Sequence, residues 1–287
     1  MASIKTTTVD APDSWAPDQV STFKFEDVLA DNLYLSLTTF GGKIEGDQPS
    51  LHVPYVSDAD DAQFTAEGAE IAETTPGLNE VLIQTRKIAQ LVTLSTEQSQ
   101  QVDTARVVAD SMKRNVVSKL NHSLLTQVAP TAPAIAPSAG LVNTAGIIEG
   151  DPLVGNLDPL VDLISELESN YAAPKFLVID PLSRAALYKL KAGDASNEGL
   201  LSPVTAEPVS AILGLQVIVS PFMPANTGLI VDPAAIVSAY SPVSVAQSTD
   251  AKFTSDAVVY RVTTRVGHAV VKADRLATIS IGAPVAP

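Results

Sequence analysis

Between Ile44 and Thr85 the chain carries nine acidic residues and neither lysine nor arginine. Leu51–Val56 alternates apolar and polar residues before this tract's turn-rich tip, Ser57 to Gly77, and Val81–Gln84 alternates after it. That pattern predicts two strands joined as a long hairpin. A thin hairpin cannot bury so many carboxylates within its own subunit, because an unpaired buried charge costs more than packing returns. The arm must stay solvated or meet basic groups supplied from elsewhere. Long loops without structure of their own are usually functional or mobile.

After Arg86 and Lys87 the chain is expected to enter a long helix. Ser95-Thr96-Glu97-Gln98 has the spacing of a capping box. Val102, Ala105, Ala109, Met112, Val116, Leu120 and Leu124 then recur at intervals of three and four. One helix of about thirty residues, ending at Gln127, would be about 45 Å long. Its apolar row reads as core packing, since alanines weaken a coiled-coil seam. Lys113, Arg114 and Lys119 cluster on it and read as a solvated or partner-facing side.

Residues 1–42 are rich in Thr, Ser, Asp and Pro, with a short amphipathic spacing over Phe25–Leu37. Pro130–Pro137 is an Ala/Pro linker, and Gly140–Gly155 is again loop-rich. Leu157–Leu167 reads as a helix, Lys175–Asp180 as a buried strand, and Pro181–Lys191 as a helix opened by proline. Leu215–Ser220 and Leu229–Val231 are further apolar strands, so Leu157 to Tyr240 should be a compact α/β unit. In Val258–Val266 the residues Val258, Tyr260, Val262 and Val266 share one face, while Arg261, Thr263 and Arg265 share the other. Gly267-His268 is expected to turn the chain into Ala269–Val271, ahead of a closing strand at Leu276–Ile281.

Composition narrows the chemistry. The 46% hydrophobic content includes only 5% aromatics, which implies an aliphatic core. Absence of cysteine excludes disulfides, thiolate catalysis and sulfur-ligated metals. A net charge of −14 with 18 basic residues disfavours direct nucleic-acid binding. No apolar run is long enough for a membrane span, and the first ten residues lack signal-peptide features, so cytosolic synthesis without membrane contact is expected.

No dinucleotide, P-loop or nucleophile-elbow motif occurs. His52, His122 and His268 lack partners at metal spacing and read as structural. Asp58-Ala59-Asp60-Asp61 begins like a calcium loop, but Gln63 stands where glycine is needed, which favours a solvated turn. Tyr171 and Lys175 have dehydrogenase spacing, yet Pro174 breaks the helix that would align them. Glu166 and Glu168, two apart on a helix, face different directions. No catalytic residue, cofactor or metal is expected.

The order of parts, with Ala66-Glu67-Gly68 through Arg86-Lys87-Ile88-Ala89 into Ser95-Thr96-Glu97, then Lys175–Lys191, then Phe253–Leu276 with Arg261, Arg265 and Lys272-Ala273-Asp274-Arg275, resembles the tailed-bacteriophage major capsid proteins of the HK97-like fold. The resemblance implies an α+β fold: an N-terminal arm (1–42), an E-loop hairpin (43–86), a P-domain spine-helix region (87–128), an inserted α/β A-domain (129–241) and P-domain C-terminal strands (242–287). It implies pentamers and hexamers closing into an icosahedral shell around double-stranded DNA that is enclosed with little specific binding. Assembly would occur in the host cytoplasm and the product would be the virion. Asp58, Asp60, Asp61, Glu67, Glu70 and Glu73 would then face Lys113, Arg114, Lys119, Arg261 and Arg265 of neighbouring copies.

Some relatives weld their shells through an E-loop lysine, and none lies between Ile44 and Thr85, so a noncovalent shell is expected. The stretch before the hairpin is too short for a built-in scaffolding domain, so scaffolding should come from a separate protein, beside a portal and with room for a decoration or minor capsid protein. An encapsulin-type compartment shell would show the same parts. A soluble α/β enzyme would instead need a cluster of titratable groups, and none is legible.

Overall fold

The computed structural model describes residues 18–23, 32–45, 48–57, 64–65, 67–68, 77–99, 104–191, 201 and 211–282. Its mixed α+β architecture is built on two six-stranded sheets and a separate two-stranded hairpin. The alternation around Val258–Val266 does form a strand, β13 (Ala257–Val270), with Val258, Val262, Thr264 and Val266 buried and Arg261 exposed. It pairs antiparallel with β5 (Arg86–Ser95) from Ala257↔Ser95 to Val266↔Arg86. It also pairs with β12 (Val243–Lys252) along its first half and with β11 (Ile236–Tyr240) along its second. Strand β1 (Asp18–Phe23) extends this sheet beyond β12, and β2 (Thr39–Lys43) runs parallel to β11.

Strand β5 corrects the expectation that Arg86 and Lys87 lead directly into a helix. Ile88, Gln90, Val92 and Leu94 are partly buried and alternate with exposed Lys87, Ala89, Leu91 and Thr93. That period of two fits a strand with one covered face. The helix begins only at α2 (Thr96–Ser99), where the capping box is closed in both directions. The Gln98 N–H donates to Ser95 Oγ at 3.2 Å, and the Ser95 N–H donates to Gln98 Oε1 at 3.3 Å.

The long helix α3 (Thr104–Thr126) has 23 residues and is therefore about 35 Å long, not 45. Val102 lies outside the described residues. Met112, Val116, Leu120 and Leu124 form its buried row, whereas Ala109 is exposed.

The second sheet has the order β6-β14-β10-β7-β9-β8. These strands are β6 (Ile148–Leu153), β7 (Phe176–Ile179), β8 (Ala211–Ile212), β9 (Leu215–Val219), β10 (Thr227–Val231) and β14 (Leu276–Ile281). Helices α4 (Asp158–Ser169) and α5 (Pro181–Tyr188) supply Leu163, Leu167 and Leu187 to a core with Leu177, Ile179, Ile230 and Ile279. Alternate residues Val178, Leu229, Val231 and Leu276 enter the core that contains the buried row of α3. Burial on both faces explains why these strands read as unbroken apolar runs. The sheets do not follow chain order, because β14 lies between β6 and β10 in this sheet while β11 belongs to the other.

Gly267 and His268 lie inside β13, so the expected turn is absent. A Cβ on Gly267 would stand 2.3 Å from the Gln84 carbonyl oxygen, so the glycine marks close backbone approach and not a bend.

Candidate assembly surface

The anionic arm is built on a ladder of eight residue pairs. Strand β3 (Ser50–Ser57) pairs with β4 (Gly77–Gln84) from Ser50↔Gln84 to Ser57↔Gly77. Seven steps at about 3.4 Å carry the Ser57–Gly77 end of the ladder about 24 Å from its Ser50–Gln84 end. Ile44, Ile83 and Ala239 form a small core at that base, packed by Leu51, Val53 and Val81. Beyond it His52, Pro54, Asn79, Glu80 and Leu82 are exposed. His52 Nδ1 and Glu80 Oε2 lie 3.1 Å apart on this exposed side. A lone two-stranded ribbon is marginal in water, so this one suits a surface that another molecule covers.

Of the acidic residues predicted to make contacts, Glu67 is an exposed turn residue. Asp58, Asp60, Asp61, Glu70 and Glu73 lie outside the described residues. Lys113 and Arg114 are exposed on α3, where they border an open depression of about 360 Å³ together with Asp110, Val117 and Phe222. Arg261 is exposed on β13. Arg265 is half-buried, and its Nη1 donates to Thr85 Oγ1 at 3.5 Å, which ties β13 to the hairpin base. The five basic positions are thus divided between the helix and the strand.

A second cavity, of about 260 Å³, opens between α3, β5 and β13. Arg86, Lys87 and Lys119 line it, and no acidic residue does. Lys119 is exposed although Val116 and Ser123, three residues before it and four after, are buried on the same helical face. Sequence reasoning singled out Lys119 but missed Arg86 and Lys87, which it treated as the helix approach. Their position on β5 supplies the missing signal.

The floor of this cavity is a buried polar latch. Tyr34 lies on α1 (Leu33–Leu37), which is N-capped by Asn32 and docked on α3 through the Leu33 N–H to Asn121 Oδ1 at 2.9 Å. His268 Nε2 lies 2.8 Å from the Ala139 carbonyl, which can only accept, so Nε2 carries the proton. Nδ1 therefore accepts from the Tyr34 hydroxyl at 3.0 Å. Burial pulls the His268 pKa down to about 4, against a smaller upward effect of the Ala139 bond, and burial pushes the Tyr34 phenol up. The latch joins α1, the loop at Ala139 and β13 without using charge, while the Leu33–Asn121 bond ties α1 to α3.

Among the described residues, no group of His, Asp or Glu side chains is arranged to hold a metal, and no helix is long and apolar enough to cross a membrane.

Three solved structures share this arrangement at low sequence identity. A chain from Gordonia phage Cozz superimposes with a TM-score of 0.69 at 15% identity, covering 97% of this chain and 93% of its own. The capsid of an empty GTA particle gives 0.67 at 17%, covering 87% and 89%. A chain from Microbacterium phage Oxtober96 gives 0.67 at 15%, covering 99% and 96%. At such identities the likeness establishes the fold alone. No curated protein matches the sequence. The phage capsid family model, however, matches residues 35–281. The chain therefore belongs to the phage capsid family.

Proposed function

We propose that copies of this chain assemble as pentamers and hexamers into the icosahedral head shell of a tailed phage or a phage-like particle, with double-stranded DNA enclosed. The observation that carries the reading is the eight-pair hairpin, whose Ser57–Gly77 end stands about 24 Å from its base and leads into an acidic segment without lysine or arginine. Residues 43–86 act as the E-loop laid over a neighbour, 1–42 as the N-arm, the long helix with β5, β12 and β13 as the P-domain, and the sheet carrying α4 and α5 as the A-domain. Overlapping arms multiply individually weak contacts, so the shell gains stability through multivalency. The lumen encloses DNA with little specific contact, consistent with a net charge of −14. A portal and a separate scaffolding protein complete the head.

Expressed with such a scaffold, the protein is expected to form closed particles or hexamer-sized rings by negative-stain microscopy. Boiled in denaturant, those particles should run as one band near 30 kDa, the mass of a single chain. A small monodisperse species contradicts the shell reading. A ladder of higher bands contradicts its noncovalent character.

A further inference from the structure

We infer that the cavity between α3, β5 and β13 is a seat for a small polyvalent oxyanion of the phosphate class, held by Arg86, Lys87 and Lys119. The cations reach it from two elements, Arg86 and Lys87 from β5 and Lys119 from α3, and no acidic residue lines it. In a chain with 32 acidic and 18 basic residues, that grouping reverses the average surface. Among the described residues, ion pairs join His52 to Glu80 and Arg275 to Asp232, so none of the three has a carboxylate partner there. The Lys113–Arg114 depression, in contrast, contains Asp110.

The β5–β13 register brings a fourth cation beside them. Lys87 stands directly opposite Arg265, and like charges facing each other across a ladder repel. The Arg265 bond to Thr85 Oγ1, 3.5 Å long, keeps that guanidinium at the hairpin base. An anion beside Lys87 offsets the repulsion that the strand pairing imposes. The cavity floor supplies shape and hydrogen bonds, not charge. His268 is neutral, with Nε2 donating to Ala139 and Nδ1 accepting from Tyr34, and Ser123 donates to the Leu120 carbonyl at 2.9 Å. The Gln127 amide and the Ser138 hydroxyl at the wall can donate to an anion. The Arg86 guanidinium presents a fork that matches two oxygens of a phosphate, and the lysines act as point charges on the others. A DNA duplex is held by charges spread along many phosphates, whereas three cations around a hollow of about 260 Å³ make a single seat. A bound anion joins β5 to α3 and so ties the hairpin base to the long helix.

Calorimetric titration of the unassembled full-length chain with inorganic pyrophosphate, at constant ionic strength, tests the site whether or not the chain forms shells. One saturable site per chain is expected, with the thermal midpoint raised by about 2 °C at about ten times the Kd. Arg86→Gln with Lys119→Gln should weaken binding by about tenfold or more, the effect of losing charge-assisted hydrogen bonds. Lys175→Gln with Lys189→Gln removes the same charge from exposed positions outside the cavity and should leave binding unchanged. Lys119→Arg keeps the charge and should bind as the parent does, which separates lost ligation from lost folding. Absence of saturable binding in the parent overturns the inference, as does equal weakening by the two glutamine pairs. A short DNA duplex that binds through Arg86 and Lys119 where pyrophosphate does not would make the cavity a DNA contact, which also overturns it.

Discussion

Replacing Asp232 with alanine is expected to destabilise the folded subunit by about 2–4 kcal/mol, the cost of leaving two buried backbone donors without an acceptor. Asp232 is 2% exposed and sits where β10 ends, at the junction between the two sheets. Its Oδ1 accepts from the Ala234 N–H at 3.0 Å and its Oδ2 from the Ala173 N–H at 3.1 Å. Arg275 Nη1 lies 3.9 Å from the same Oδ2. The Arg275 Nε is already buried without a partner, and the next residue, Leu276, is fully buried. Alanine would orphan two backbone donors and remove the carboxylate nearest Arg275, whose side chain is 19% exposed. Asp232→Asn keeps an acceptor for one backbone donor and should lose about half as much. Urea unfolding of the unassembled subunit measures both. A loss below about 1 kcal/mol for alanine would show that the carboxylate is not what holds the junction.

Acidification should cost the subunit about 3 kcal/mol at His268 alone, the equivalent of lowering its pKa from an ordinary 6.5 to about 4. The folded pKa is depressed, so the folded state favours neutral imidazole. This contribution is complete above pH 6.5 and falls away as the pH drops toward 4. Protonation would turn Nδ1 from acceptor to donor against the Tyr34 hydroxyl. Arg86, Lys87 and Lys119 around the adjacent cavity oppose the new charge further. Stability should therefore fall more steeply between pH 6.5 and 4 in the parent than in His268→Gln, whose amide can still donate to Ala139 and accept from Tyr34. Equal slopes in the two proteins would rule out His268 as the titrating group.

Local pattern was a good guide wherever one face of an element meets water. The hairpin strands, β13 and the buried row of α3 all announce themselves by alternation or by intervals of four. The reciprocal Ser95–Gln98 cap was likewise written in four consecutive residues. Strand β5 is hidden in the sequence although Ile88, Gln90, Val92 and Leu94 alternate, because the stronger helical signal that follows draws the boundary backwards. Gly267 reads as a bend because glycine marks a turn and a close approach with the same letter, and only the Gln84 carbonyl decides between them.

Non-local features were not legible. Nothing in Leu276–Ile281 says that it pairs with Thr227–Val231 in the other sheet. The latch likewise spans 234 positions between Tyr34 and His268. Of the candidate assembly surface, the sequence displays the acids and Lys119. The grouping of Arg86 and Lys87 with that lysine appears only when β5 is laid beside α3.

In the proposed shell, the anionic arm of each copy finds its counter-charges on another. A cryo-electron microscopy map of assembled particles tests this most directly, by tracing residues 58–76 of one subunit. The prediction is density for that segment against an adjacent copy, with its carboxylates beside basic residues of that copy. A tip folded onto its own subunit, touching no second copy, would contradict it.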